Sequence, residues 1–86
     1  PVHSTSIEVI MVNSVGVLGR ICTLIGEQGA NISDLTFVMR KPDFYKTVFE
    51  ITVRDLKHLH NIITSIQVDM DVSEASRYRS KNIKVK

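Results

Sequence analysis

The 86-residue chain has no tryptophan, one cysteine, two prolines and four glycines. A lone cysteine excludes an internal disulfide, so a hydrophobic core must hold the fold, and a reduced thiol points to a cytoplasmic setting. No apolar run approaches the roughly 20 residues that span a bilayer, and no signal-peptide layout opens the chain, so no membrane partner is expected. Repeats, linkers and low-complexity stretches are also lacking. The length allows one domain and is too short for a catalytic cleft between lobes. With 43% hydrophobic and 23% charged residues, disordered and collagen-like chains are excluded and a globular domain is expected.

Groups that carry chemistry are sparse. His58 and His60 stand two apart in a helical pattern, which points them about 200° apart and prevents a shared metal. Both read as exposed helix residues, and His3 as part of a loose terminus. Asp69 and Asp71 have the spacing of paired carboxylates on one strand face, but they flank a strand start and read as solvated turn residues. Neither Ser14 nor Cys22 has a histidine nearby in sequence, and Cys22 sits in an apolar helical pattern that predicts a core position. With no nucleophile beside a base, no metal set and no phosphate-gripping lysine, no enzyme activity, cofactor or metal is expected.

The net charge of +2 hides an asymmetry. Arg77, Arg79, Lys81, Lys84 and Lys86 place five of the eleven basic residues in the last ten positions, with no acid among them. The rest of the chain is mildly acidic. A solvated terminus is the ordinary reading of such a tail, and phosphate contact the sharper one. Residues 1–79 are expected to form the domain and 80–86 the basic tail.

Periodicity supplies the elements. Ile7, Val9 and Met11 alternate with Ser6, Glu8 and Ile10 in a strand over Ser4 to Val12. Val17, Leu18, Ile21, Leu24 and Ile25 then fall at helical spacing, predicting an amphipathic helix from Val17 to Gln28 that Gly29 ends. A second strand spans Asn31 to Arg40, with Leu35, Phe37 and Met39 on one face. The turn KPDF (Lys41 to Phe44) joins it in a hairpin to the clearest strand, where Tyr45, Thr47, Phe49, Ile51 and Val53 alternate with Lys46, Val48, Glu50, Thr52 and Arg54. Asp55 is a natural N-cap for a second helix carrying Leu59, Ile62, Ile63 and Ile66, to about Gln67. A last strand, Met70 to Ser76, is expected to bury Met70 and Val72. The order β-α-β-β-α-β predicts an α+β, ferredoxin-like sandwich, with two helices on one face of a four-stranded antiparallel sheet. Its second and fourth strands should be edges, the second available for pairing with another chain.

RNA-recognition domains share this order but stack bases on aromatics of the open sheet face. Here Tyr45 and Phe49 lie on the face the helices should cover, so that platform is missing. The two GxxG tetrads, Gly16 to Gly19 and Gly26 to Gly29, read as helix caps, because the KH loop that uses GxxG joins two helices. No DNA-binding element is found.

The turn Asn13-Ser14-Val15-Gly16 is the better candidate. A helix that starts after an open glycine turn presents unbonded N–H groups and the positive end of its dipole, which suits a carboxylate. In this topology the turn is expected close to the start of the second strand, where Asn31 sits. Asn13 and Asn31 each donate and accept, which suits a ligand with an ammonium and a carboxylate. Val15, Val17, Leu18 and Ile32 would favour an aliphatic side chain. From the residues alone, Gly16 serves equally well to relieve a tight turn, and Asn13 to cap.

The stretch VNSVGVLGRICTLIGEQGANISDL (Val12 to Leu35) resembles the signature of ACT domains, through Asn13, Gly16, Leu18, Ile21, Ile25, Asn31 and Ile32. Val15 stands where that family usually has proline, which makes the turn less rigid. EITVRDLKHLHNIITSI (Glu50 to Ile66), with VSEASRYR (Val72 to Arg79), is similar to the C-terminal ACT domain of RelA/SpoT-type enzymes that make and hydrolyse (p)ppGpp. The resemblance covers about residues 6 to 79. It implies a non-catalytic regulatory module of a longer GTP pyrophosphokinase and (p)ppGpp hydrolase, acting in the stringent response. It further implies a homodimer through edge strands and a small amino acid effector, branched-chain by the aliphatic turn. Asn13, Ser14, Val15, Gly16, Val17, Leu18, Asn31 and Ile32 would form that effector site. Ribosome or uncharged-tRNA contact by the parent, which suits the basic tail, is the other implication. A docking module without small-molecule binding and the regulatory domain of an amino-acid biosynthetic enzyme are the alternatives.

Overall fold

The structure is a computed structural model and describes residues 2–78. The basic tail, 80–86, and Arg79 lie outside the described residues. Six elements follow in order: β1 (His3–Val12), α1 (Val17–Glu27), β2 (Asn31–Arg40), β3 (Phe44–Val53), α2 (Leu56–Gln67) and β4 (Val72–Arg77). The sheet is antiparallel with order β2-β3-β1-β4, which makes β2 and β4 the edges. The βαββαβ ferredoxin-like sandwich read from the periodicities is the observed fold.

Alternation in β1 and β3 puts Ile7, Val9, Met11, Phe49 and Ile51 on the helix-covered face, all fully buried. They meet Ile21 and Ile25 of α1 and Ile62 and Ile66 of α2, also fully buried. At about 25 cal/mol per Å² of apolar surface removed from water, this layer is the main stabilising term. Thr47 lies among them because its hydroxyl donates to the Val9 carbonyl at 3.1 Å, so no polar group is left bare. Leu18, Cys22 and Leu24 are only partly buried at its margin. The helix α1 closes through Gly29, at φ 86°, where the Gly29 and Ala30 amides donate back to the Gly26 and Ile25 carbonyls.

Three expectations need correction. Met39 was placed with Leu35 and Phe37, yet a register shift between Phe37 and Met39 sets it opposite Lys46, on the open sheet face. One extra residue reverses the side of everything that follows it. Met70 is 91% exposed, because β4 starts only at Val72, and Ala75 holds the buried position instead. His58 is 4% exposed rather than solvated. Its Nδ1 accepts from the Arg54 amide at 3.0 Å and its Nε2 lies 2.6 Å from the Gln28 carbonyl. That pairing makes the ring a latch from the end of α1 to the start of α2.

Candidate functional site at the start of the first helix

The turn after β1 is held from below. The Val12 amide donates to the Asp71 carbonyl at 2.9 Å and the Asn13 amide to the Asp43 carbonyl at 3.0 Å. The Asn13 side chain braces the β2–β3 hairpin, its Nδ2 donating to the carbonyls of Lys41 and Pro42 at 3.2 Å each. Asn13 therefore does not cap α1, and its donor is already engaged. Its Oδ1 has no hydrogen-bond partner among the described residues.

Gly16 takes the N-cap position at φ 85°, a left-handed conformation that an L side chain adopts only at a cost, and no side chain caps the helix. The Val17 amide reaches the Ser14 carbonyl at a long 3.3 Å, and Arg20 donates to the Gly16 carbonyl. Between them, the amides of Leu18 and Gly19 have no acceptor among the described residues. No acidic side chain stands in the first turn to offset their partial positive charge. A Cβ built on Gly16 meets nothing within 4 Å, so the mouth is open to solvent. Val15 is fully exposed beside it, and Ser14 is exposed too. The spot can take a carboxylate.

The other expected members are distributed differently. Val17 is 2% exposed, and its side chain belongs to the core rather than to a ligand surface. Leu18 is half-buried and reaches the margin. Asn31 and Ile32 are not near the turn. Asn31 pairs with Thr52, which pairs with Ser4, whereas the turn follows Val12 at the other end of β1. The helix α1 runs back along the sheet before β2 begins, so within one chain the two asparagines stand about 30 Å apart, one strand length.

An ion-pair cluster beside the mouth escaped the sequence reading. Arg20 donates through Nε and Nη2 to both Asp69 oxygens at 2.8 and 2.9 Å, and through Nη2 to Asp71 at 2.7 Å. Asp69 also accepts the Asp71 amide at 2.9 Å. The guanidinium, with that amide, holds the Asp69 carboxyl below the usual carboxylate range, and the two carboxylates raise Arg20. Asp69 and Asp71 are thus the two jaws of a clamp from α1 to the α2–β4 turn, not free turn residues. The only local hint was one arginine and a close acid pair, 49 residues apart. Burial pushes the Cys22 thiol up, away from nucleophile character. Among the described residues no three His, Cys, Asp or Glu side chains are grouped to hold a metal, and no helix is long and apolar enough to cross a membrane.

Fold and site define a class: a small ferredoxin-like module with an uncapped helix mouth suited to a small anion. The chain belongs to the ACT domain family, whose model matches residues 2–77. It is 38% identical over 71 residues to a GTP pyrophosphokinase rsh of Brucella suis, covering 83% of this chain and 10% of that protein. To the bifunctional (p)ppGpp synthase/hydrolase SpoT of Escherichia coli it is 33% identical over 76 residues, covering 88% and 11%. The chain thus spans about a tenth of the length of these relatives. Its fold is similar to the crystal structure of the ACT domain from a GTP pyrophosphokinase of Chlorobium tepidum, with TM-score 0.78 at 15% identity, covering 91% of this chain and 100% of that one. The small subunit of acetolactate synthase from Thermotoga maritima shares it at TM-score 0.73 and 20% identity, over 87% and 47%. The module is regulatory, a non-catalytic domain of the type carried by GTP pyrophosphokinases.

Proposed function

We propose that this domain binds a small amino acid at the mouth of α1, as a dimer. Occupancy would bias a cytoplasmic RelA/SpoT-type parent between (p)ppGpp synthesis and hydrolysis, and so control the stringent response. The observation that carries the reading is the pair of open amides on Leu18 and Gly19 behind a left-handed glycine, with Val15 exposed beside them. The amides receive the carboxylate, and the aliphatic rim favours a branched-chain side group.

The separation of Asn13 from Asn31 supports a dimer rather than opposing it. When two β2 edges pair antiparallel about a two-fold axis, the Asn31 end of one copy lies over the Arg40 end of the other, level with the glycine turn. The site is then built from Asn13 to Leu18 of one chain and Asn31 and Ile32 of the second. A ligand that favours one arrangement shifts the parent by a coupling of about 1–3 kcal/mol. Light scattering should give a dimer, and calorimetric titration with valine, leucine and isoleucine should give heat at millimolar ligand. Silence in a verified dimer sinks the sensor.

The exposed Val15, where the family usually has proline, together with the basic tail favours a second reading: docking on the parent's ribosome or tRNA partner without small-molecule affinity. It expects salt-sensitive ribosome binding that is lost when Arg77 to Lys86 is removed.

A further inference from the structure

The sheet face turned away from the helices has no covering element among the described residues, and its side chains are unevenly sorted. Register puts Val12 directly opposite Phe44, and Lys46 between Ile10 on β1 and Met39 on β2. Phe44 and Val48 stand two residues before and after Lys46 on the same face of β3. Apolar side chains therefore surround Lys46 near the middle of the open face. Val12 and Met39 are 43% and 39% exposed, and Ile10, Phe44 and Val48 are half-buried. A lysine in that position shields its apolar neighbours with its methylene stem, and the Lys46 Nζ stands 3.8 Å from a Glu8 carboxylate oxygen.

The charge around this patch is of one sign. Asp34 stands directly opposite Glu50, both exposed, and like charges in that relation repel. Neither has a cationic partner among the described residues. The register shift between Ile32 and Asp34 creates this pair. Without the extra residue Ser33 would face Glu50, and Asp34 would fall on the helix side. Instead the Ser33 hydroxyl donates to the Glu50 carbonyl at 3.1 Å and Asp34 joins the open face. Glu74 lies opposite Ile10 on β4, and Glu8 lies opposite Val48. Among the described residues of this face, the carboxylates of Glu8, Asp34, Glu50 and Glu74 meet a single ammonium, that of Lys46.

These groups lie along a diagonal, with Asp34 and Glu50 at one end, Glu74 at the other, and Val48 and Ile10 between them. Strand spacings of about 4.8 Å and a rise of about 3.4 Å per residue put the two acidic ends about 20 Å apart. That is the length of about 13 helical residues. The strands' backbone groups are spent in the ladders, so this face binds through side chains, and a helix is the element that covers a sheet face in that way. A second copy turned face to face would set the same carboxylates against each other, and nucleic-acid phosphate is repelled likewise. We propose that the open sheet face docks a basic amphipathic helix of a partner protein. Its apolar stripe rests on Val48 and Ile10, and lysine or arginine at its two ends meets Asp34 with Glu50 and Glu74. This inference is independent of amino acid binding at the mouth of α1.

The test is amide NMR of the full 86-residue chain, titrated with a synthetic leucine–lysine helical peptide of about 18 residues. A leucine–glutamate peptide with the same apolar stripe is the control. The lysine peptide should shift the amides of Ile10, Lys46 and Val48, and the glutamate peptide should leave them in place. Asp34→Asn/Glu50→Gln removes two exposed charges whose side chains have no partner among the described residues, so the variant should fold. It should weaken the lysine peptide about tenfold at low salt. Val48→Thr keeps a β-branched residue in the strand and should weaken it about threefold. No binding, shifts centred on α1 or α2, equal binding of the two peptides, or an affinity indifferent to the double variant overturns the proposal. The same shifts produced by oligouridylate, or by raising the protein concentration alone, overturn it as well, since RNA or a second copy would then be the occupant.

Discussion

Helix α2 begins behind a carboxylate, whereas α1 begins behind a glycine with no side chain to offer. The Asp55 Oδ1 accepts the His58 amide at 2.8 Å, in extended backbone, and its charge opposes the helix dipole. The Gly16 cap leaves two amides without acceptors among the described residues and no acidic side chain in the first turn. Both helices are amphipathic, lie on the same sheet face and are of nearly equal length. The difference is therefore local chemistry: α2 is capped by a side chain of its own sequence, while α1 starts without one.

The largest expected effect tests the closed side. The His58→Ala variant leaves the Gln28 carbonyl and the Arg54 amide without their partner in a partly buried setting, and should lose about 1–3 kcal/mol in urea denaturation. An unchanged midpoint would show that the latch between the helix ends carries no load. Opening the same end more gently, Asp55→Ala should cost about 1 kcal/mol, with Asp55→Asn retaining most of it.

On the open side, Gly16→Ala should cost about 1 kcal/mol of stability, because the new Cβ meets nothing and only the left-handed backbone is penalised. Valine affinity should fall about tenfold in the same variant, which corresponds to about 1.4 kcal/mol in calorimetry. If stability drops and affinity does not, the mouth is not the site.

The smallest effect concerns the clamp beside it. Arg20 lowers the Asp69 pKa in the folded chain, so this carboxylate contributes stability above its unfolded pKa, about 4. That contribution is lost as pH falls from there through the lower folded value. Thermal melts of Asp69→Asn should show a shallower decline below about pH 4 than the parent chain, and no difference in slope near pH 7. The Asp69 side chain is 11% exposed but its partner Arg20 is 47% exposed, and screening through that exposed guanidinium should keep the change modest.

Legibility followed range along the chain. The period-2 run from Tyr45 to Val53 and the Val17–Ile25 stripe named the buried faces because a strand or helix repeats its own geometry. Asp55 and Gly29 were readable for the same reason, since each cap bonds within a few residues. Met39 was misplaced because a bulge is a property of two strands, and a single strand's pattern carries no mark of it. His58 looked solvated because the groups that satisfy its ring, the Gln28 carbonyl and Arg54 amide, are a helix end and a turn that meet only on folding.

For the candidate site, the contiguous part, Asn13 to Leu18, was legible as an open helix start. Asn31 was legible as a ligand-type residue but not in its position, since that depends on α1 spanning the sheet. The Arg20 clamp was invisible, joining residues 49 apart.

By itself the sequence determined the elements, their order and the buried faces of β1, β3 and both helices' apolar stripes, because hydrophobic period and backbone preference act over a turn or a strand. Only the tertiary structure decided which polar groups are satisfied and which are left over: His58 inside, Asp69 clamped, Leu18 and Gly19 open. Those outcomes depend on which distant carbonyls, amides and charges arrive at the same place, and that follows from the crossing of helices over a shared sheet.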